Sequence, residues 1–144
     1  LFDLARSATL TAGRAGVVSV QARPGDAGIA YAVLARLLRA VLAEHRVELS
    51  PTRIQELALV LPELGRAVAL AGEAQRLLLH RAVDATLSDA LALDLQAVIV
   101  DDLHFADDAS MEFLQSLVQS DMLAALHWGF AQRAAEPAAD AEPD

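Results

Sequence analysis

"LQAVIVDDLHFADDASMEFLQSL", residues 95–117, decides how this chain is read. The apolar run within "QAVIVDDL" (96–103) has no polar alternation. That is the mark of a strand buried on both faces, as in a parallel sheet. The run stops on two adjacent acids, Asp101 and Asp102. Asp107 then stands where a helix N-cap belongs. It precedes a helix predicted over about 108–120, with Met111, Leu114, Leu117 and Val118 inward. A strand running straight into a helix is half of a βαβ unit. "ALHWGFAQR" (125–133) reads as the strand that follows.

Outward from this stretch, "GVVSVQARP" (16–24) is a β-branched run between Gly and Pro-Gly, so a short strand. Three helices lie between it and residue 96. The first covers 27–46, with a stripe of Ala30, Leu34, Leu37, Leu38, Val41 and Leu42 and a solvated face carrying Arg36, Arg39 and Arg46. The second is capped by Ser50, has Pro51 at its first position, and is broken or ended by Pro62. The third covers 72–93, with Leu79, Ala82, Val83, Leu87, Ala90 and Leu91 inward. "LFDLARSATLTAG", at the start, reads as the second half of a helix, so a fragment of a longer protein is expected. The acidic Ala/Pro-rich tail, 134–144, is expected to be disordered.

Strands separated by helices predict a helix-rich α/β domain over 1–133, with a parallel sheet of about three strands and helices on both faces. Ligands of such sheets bind beyond the carboxyl ends of the strands. Asp101, Asp102 and Arg133 all fall at carboxyl ends.

Composition removes several function classes. Net charge is −9, and all 11 basic residues are Arg. Direct nucleic-acid contact is not expected of so acidic a chain, because phosphate neutralisation needs clustered positive charge. Without Cys there is no disulfide framework, thiolate catalysis or Cys-zinc site. That fits a reducing compartment, and the cytoplasm is the expected location. No signal peptide or apolar run long enough to span a bilayer is visible, so no membrane role is expected.

Two neighbouring carboxylates at a strand end repel each other, and something must offset the cost. Magnesium with a nucleotide phosphate is the natural offset. One acid can hold the metal through its waters, and the other can orient or deprotonate an attacking water.

"AVIVDDLHFADDASMEFLQSL" resembles the Walker B segment of AAA-type ATPase domains in bacterial signalling proteins. These are the signal-transduction ATPases with numerous domains (STAND), found in large LuxR-type transcriptional regulators and related multidomain sensors. The family pattern is an apolar strand, two acids, Leu-His-Trp-Ala-Asp, then a helix. The chain matches at Asp101, Asp102, Leu103, His104, Ala106 and Asp107. It departs at Phe105, where Trp is usual, and at Asp108, where Pro is common. "LPELG" (61–65), "QRLLLHRAV" (75–83) and "HWGFAQR" are similar to neighbouring parts of these domains.

The resemblance implies a partial P-loop NTPase fold with ATP and Mg²⁺ as cofactors. In it Asp101 would hold Mg²⁺ through water and Asp102 would polarise the attacking water. Arg133 would sense the terminal phosphate, and His104 would lie in the surrounding shell. It also implies that "GVVSVQAR" is the second strand of the fold, with the first strand and the phosphate loop upstream of Leu1. In the family the first strand pairs beside the one bearing Arg133, so 125–131 would show an open apolar edge. The implied partners are ATP and other domains of the same polypeptide; oligomerisation stays open.

Other readings compete. The acid pair could be a solvated turn after a core strand, and Arg133 a surface residue. His104 could ligate zinc with Asp101 and Asp107, although no second His lies at ligand spacing. Ser110, His104 and Asp107 do not form a triad, since Ser110 sits in a helix first turn. The same fold could serve as a nucleotide-free scaffold or interaction domain. A metal-dependent hydrolase using the acids without nucleotide is a third reading.

Overall fold

The computed structural model describes residues 16–132. Arg133, the helix expected before Gly13 and the tail 134–144 lie outside the described residues. Strand β1 (Val17–Gln21) is followed by helices α1 (Ala32–Glu44), α2 (Pro51–Leu57) and α3 (Gly72–Ala92). Then come β2 (Ala97–Asp101), α4 (Asp108–Val118) and β3 (His127–Phe130). The chain is a helix-rich α/β fold, and its three strands form an open, wholly parallel sheet in the order β1-β2-β3. The strand with the acids is central, as its unbroken apolar run requires: Ala97 to Val100 are all buried.

The strand order decides where the helices go. Both connections step across the sheet in the same direction. Right-handed crossovers with no reversal bring every connecting helix to the same face. Buried side chains of all four helices accordingly form one cluster with Val18, Val20, Val98 and Val100. The opposite face contributes a separate small cluster of Val17, Ala97 and Ile99. Among the described residues the helices therefore cover one face, not both as the alternation of elements had suggested. Element alternation says nothing of strand order, and strand order sets the layers.

Local signals account for the starts of α2 and α4. Ser50 Oγ accepts from Arg53 N–H at 3.1 Å, with Pro51 first in α2. Asp107 caps α4. Two expectations need correction. The helix predicted from residue 27 begins only at Ala32, because Gly25 (φ 99°) and Tyr31 (φ 65°) interrupt the path with left-handed backbone. In α4, Phe113 takes the inward place expected of Val118, which is 46% exposed. Apolar periodicity over so short a helix leaves the buried face uncertain by one position.

Before β1, Gly16 is packed against the loop entering β2. A Cβ there would stand 2.5 Å from the Asp94 carbonyl oxygen. No helix among the described residues is long and apolar enough to cross a membrane.

Candidate acidic site at the carboxyl end of the sheet

Parallel pairing sets Gln21, the last residue of β1, beside Asp101, the last of β2. The chain then turns sharply. Asp102 is left-handed (φ 55°, ψ 42°) and only 4% exposed. Its N–H donates to Asp101 Oδ1 at 2.8 Å, and its Oδ2 accepts from Gln21 Nε2 at 2.5 Å. The two acids are thus held differently. Asp101 is half-buried, with one oxygen used by the turn. Asp102 is buried and tied to β1 by an amide donor. Burying a carboxylate costs free energy that such a hydrogen bond helps to offset.

The loop that follows is anchored at its far end by Asp107, 2% exposed. Asp107 Oδ2 accepts from Ser110 N–H (2.9 Å) and from Tyr31 N–H (2.7 Å), and its Oδ1 from Val33 N–H (3.3 Å). Ser110 Oγ accepts from Leu34 N–H at 2.9 Å. Asp107 and Ser110 therefore satisfy the first turn of α1 as well as that of α4. Helix starts carry N–H groups with no partner inside the helix, and a carboxylate also suits their positive end. This occupation matters for function. The start of α1 already holds an internal carboxylate and three hydrogen bonds, so it does not offer free N–H groups to a phosphate.

A third element stiffens the β1 side. Asp26, 5% exposed, takes a bidentate ion pair from Arg36, with contacts of 2.7 and 3.0 Å, and the Arg23 N–H at 2.7 Å. Arg36 also donates to the Gln21 carbonyl at 2.9 Å. The Arg36 guanidinium holds the Asp26 carboxyl below the usual carboxylate range, overriding the opposite push of burial. Arg36 is thus a structural residue of the sheet end, not part of the solvated face assigned to it from the sequence. Arg39 keeps the expected surface character: it pairs with Glu63, and both side chains are half exposed.

His104 is exposed and tilted on Phe105, ring centroids 4.2 Å apart, with no hydrogen bond to either acid. Among the described residues no group of three His, Cys, Asp or Glu could cage a metal ion. Asp101 is the accessible acid, and a magnesium ion that keeps most of its waters asks for one or two carboxylates plus phosphate oxygens.

Gln21, Asp26 and Arg36 carry this geometry, and the motif alone misses them. Gln21 had a signal: once two strands are taken as parallel and both end in a polar residue, those residues fall in register. Asp26 and Arg36 had none, since their pairing depends on the turn after β1.

No protein-family model matches the sequence, no curated protein matches it, and no solved structure matches the fold.

Proposed function

We infer that residues 16–132 form the acid-bearing part of an ATP-responsive regulatory domain, of the AAA/STAND kind that the sequence resembles. The observation that carries this is the unequal acid pair at the end of the central strand. Asp101 is accessible, and Asp102 is buried, left-handed and oriented by Gln21. A solvated turn would leave both acids exposed. The strand order supports the reading too. Three parallel strands stepping one way lack a point where the order reverses, and such reversals create ligand crevices in open α/β sheets. A further strand beside β3, carrying the phosphate loop, would create one.

In this role Asp101 would hold Mg²⁺ through water, and Asp102 would orient the water that attacks the terminal phosphate. Arg133, just beyond the end of β3, would stabilise charge on that phosphate. The bound Mg-ATP supplies the leaving group and the charge neutralisation. The 144 residues contain no Lys and no Gly-rich phosphate loop, so in this reading both would be supplied from outside these residues.

The test is calorimetry with Mg-ATP on the 144-residue chain and on a chain extended upstream, each with and without Asp101→Ala. Binding by the extended chain alone, weakened by the substitution, supports the reading. A folded extended chain that binds nothing transfers the fold to a scaffold role.

A further inference from the structure

We propose that the pocket between the turn after β1, the start of α1 and the residues following α2 is a binding site for a small organic carboxylate with a compact apolar body. The inference is independent of the nucleotide reading. The cavity has a volume of about 280 Å³. A water in the liquid occupies about 30 Å³, so the pocket admits a guest of roughly ten non-hydrogen atoms. Ile29, Ala35, Leu59 and Val60 give it an apolar wall, and Asp26, Arg36 and Arg39 a charged one. A mostly apolar lining with a few placed polar groups is the ordinary make-up of a small-molecule site.

The charged wall selects the sign of the ligand. Asp26 is already satisfied: both oxygens accept from Arg36, and Oδ2 also accepts from Arg23 N–H. Arg36 is held by Asp26 and by the Gln21 carbonyl. Arg39 is different. A guanidinium carries five N–H donors. Glu63 takes only those of Nε and Nη2, at 2.8 and 3.1 Å. Among the described residues nothing accepts from Arg39 Nη1, and the side chain is 51% exposed. The pocket therefore offers spare donors on a cation and no spare carboxylate, so it suits an anion. The N–H groups of Tyr31, Val33 and Leu34 are held by Asp107 and Ser110, so the ligand's charge falls to Arg39 and not to the helix start. One spare nitrogen beside an apolar wall matches a monoanionic carboxylate. A phosphate dianion would leave charge unpaired against that wall.

The walls are also set in advance. Arg36 is fixed by its ion pair and by the end of β1. Tyr31 is left-handed (φ 65°), with its N–H held by Asp107. Such a backbone at a bulky residue persists only where its surroundings over-determine it. A preformed pocket loses little free energy to ordering when a ligand enters.

Amide NMR of the 144-residue chain, titrated at constant ionic strength with phenylacetate and with isocaproate, tests this. The expected result is saturable shifts at residues 29–35 and 59–60 and at Arg39 Nε–H, with a Kd of about 1 mM or tighter. Phenylacetamide has the same shape without the charge and should bind about tenfold more weakly. Arg39→Gln should weaken phenylacetate by a similar factor and leave phenylacetamide unchanged. Its pair with Glu63 is exposed, so the fold should tolerate the change. Arg39→Lys, which keeps the charge, should recover part of the loss. Ile29→Ser should weaken acid and amide alike. Dispersion of the spectra confirms that each variant is folded. No saturable shift with either acid up to about 10 mM overturns the proposal. Equal binding of phenylacetate and phenylacetamide also overturns it, as does phenylacetate binding indifferent to folded Arg39→Gln.

Discussion

Asp107→Ala should be among the most damaging single substitutions outside the apolar core. Three N–H groups lose their acceptor at once: Tyr31 and Ser110 from Oδ2, and Val33 from Oδ1. Loss of an ordinary N-cap costs about 1 kcal/mol, because water reaches the freed groups. Asp107 is 2% exposed, and water reaches these poorly. A buried donor left without a partner costs about 1–3 kcal/mol. With two helix starts affected, and partial relaxation allowed, the expected loss is about 3–5 kcal/mol. That is a large share of the 5–15 kcal/mol typical of a domain. Urea denaturation followed by circular dichroism measures it, with an unchanged slope confirming that only stability has moved. Asp107→Asn keeps one acceptor oxygen, enough for the two N–H groups on Oδ2, and should cost about 1 kcal/mol. Asp108→Ala, at the exposed neighbouring position, should cost a few tenths. If Asp107→Ala costs no more than Asp108→Ala, Asp107 does not join the two helices.

Two further outcomes test the scaffold around the acids. Arg36→Met leaves Asp26 buried without its cation, and should destabilise the fold by about 2 kcal/mol at pH 7, less than a fully buried pair because Arg36 is partly exposed. Asp26 is depressed in the folded state, so its pair contributes fully above the unfolded carboxyl value of about 4 and fades as pH falls through the lower folded value; stability curves of wild type and variant should be fully separated above about pH 4 and converge as pH falls below it. Gly16→Ala drives a methyl group to within 2.5 Å of the rigid Asp94 carbonyl and should lower the urea midpoint, by about 1–3 kcal/mol of stability.

Much of this architecture was legible because its causes are local. An unbroken apolar run implies a central strand whatever surrounds it. Ser50 followed by Pro51 starts a helix through a contact three residues long. Asp107 caps α4 over the same distance. The acid pair could be placed at a strand end for the same reason, since strand ends are written in hydrophobicity.

The arrangement around the acids was decided by tertiary structure. Gln21 and Asp102 are 81 residues apart, and only parallel register brings them together. Asp107 reaches Tyr31 across 76 residues, so its second role has no signature beside it in the chain. The helical face depended on strand order, which follows from the direction of crossovers and from no single segment. By itself the sequence determined the elements, their caps and the position of the two acids, because those rest on interactions within a few residues. Tertiary structure decided which acid is buried, what orients it, and which helix start is closed to a ligand, because hydrogen-bond partners are chosen by packing.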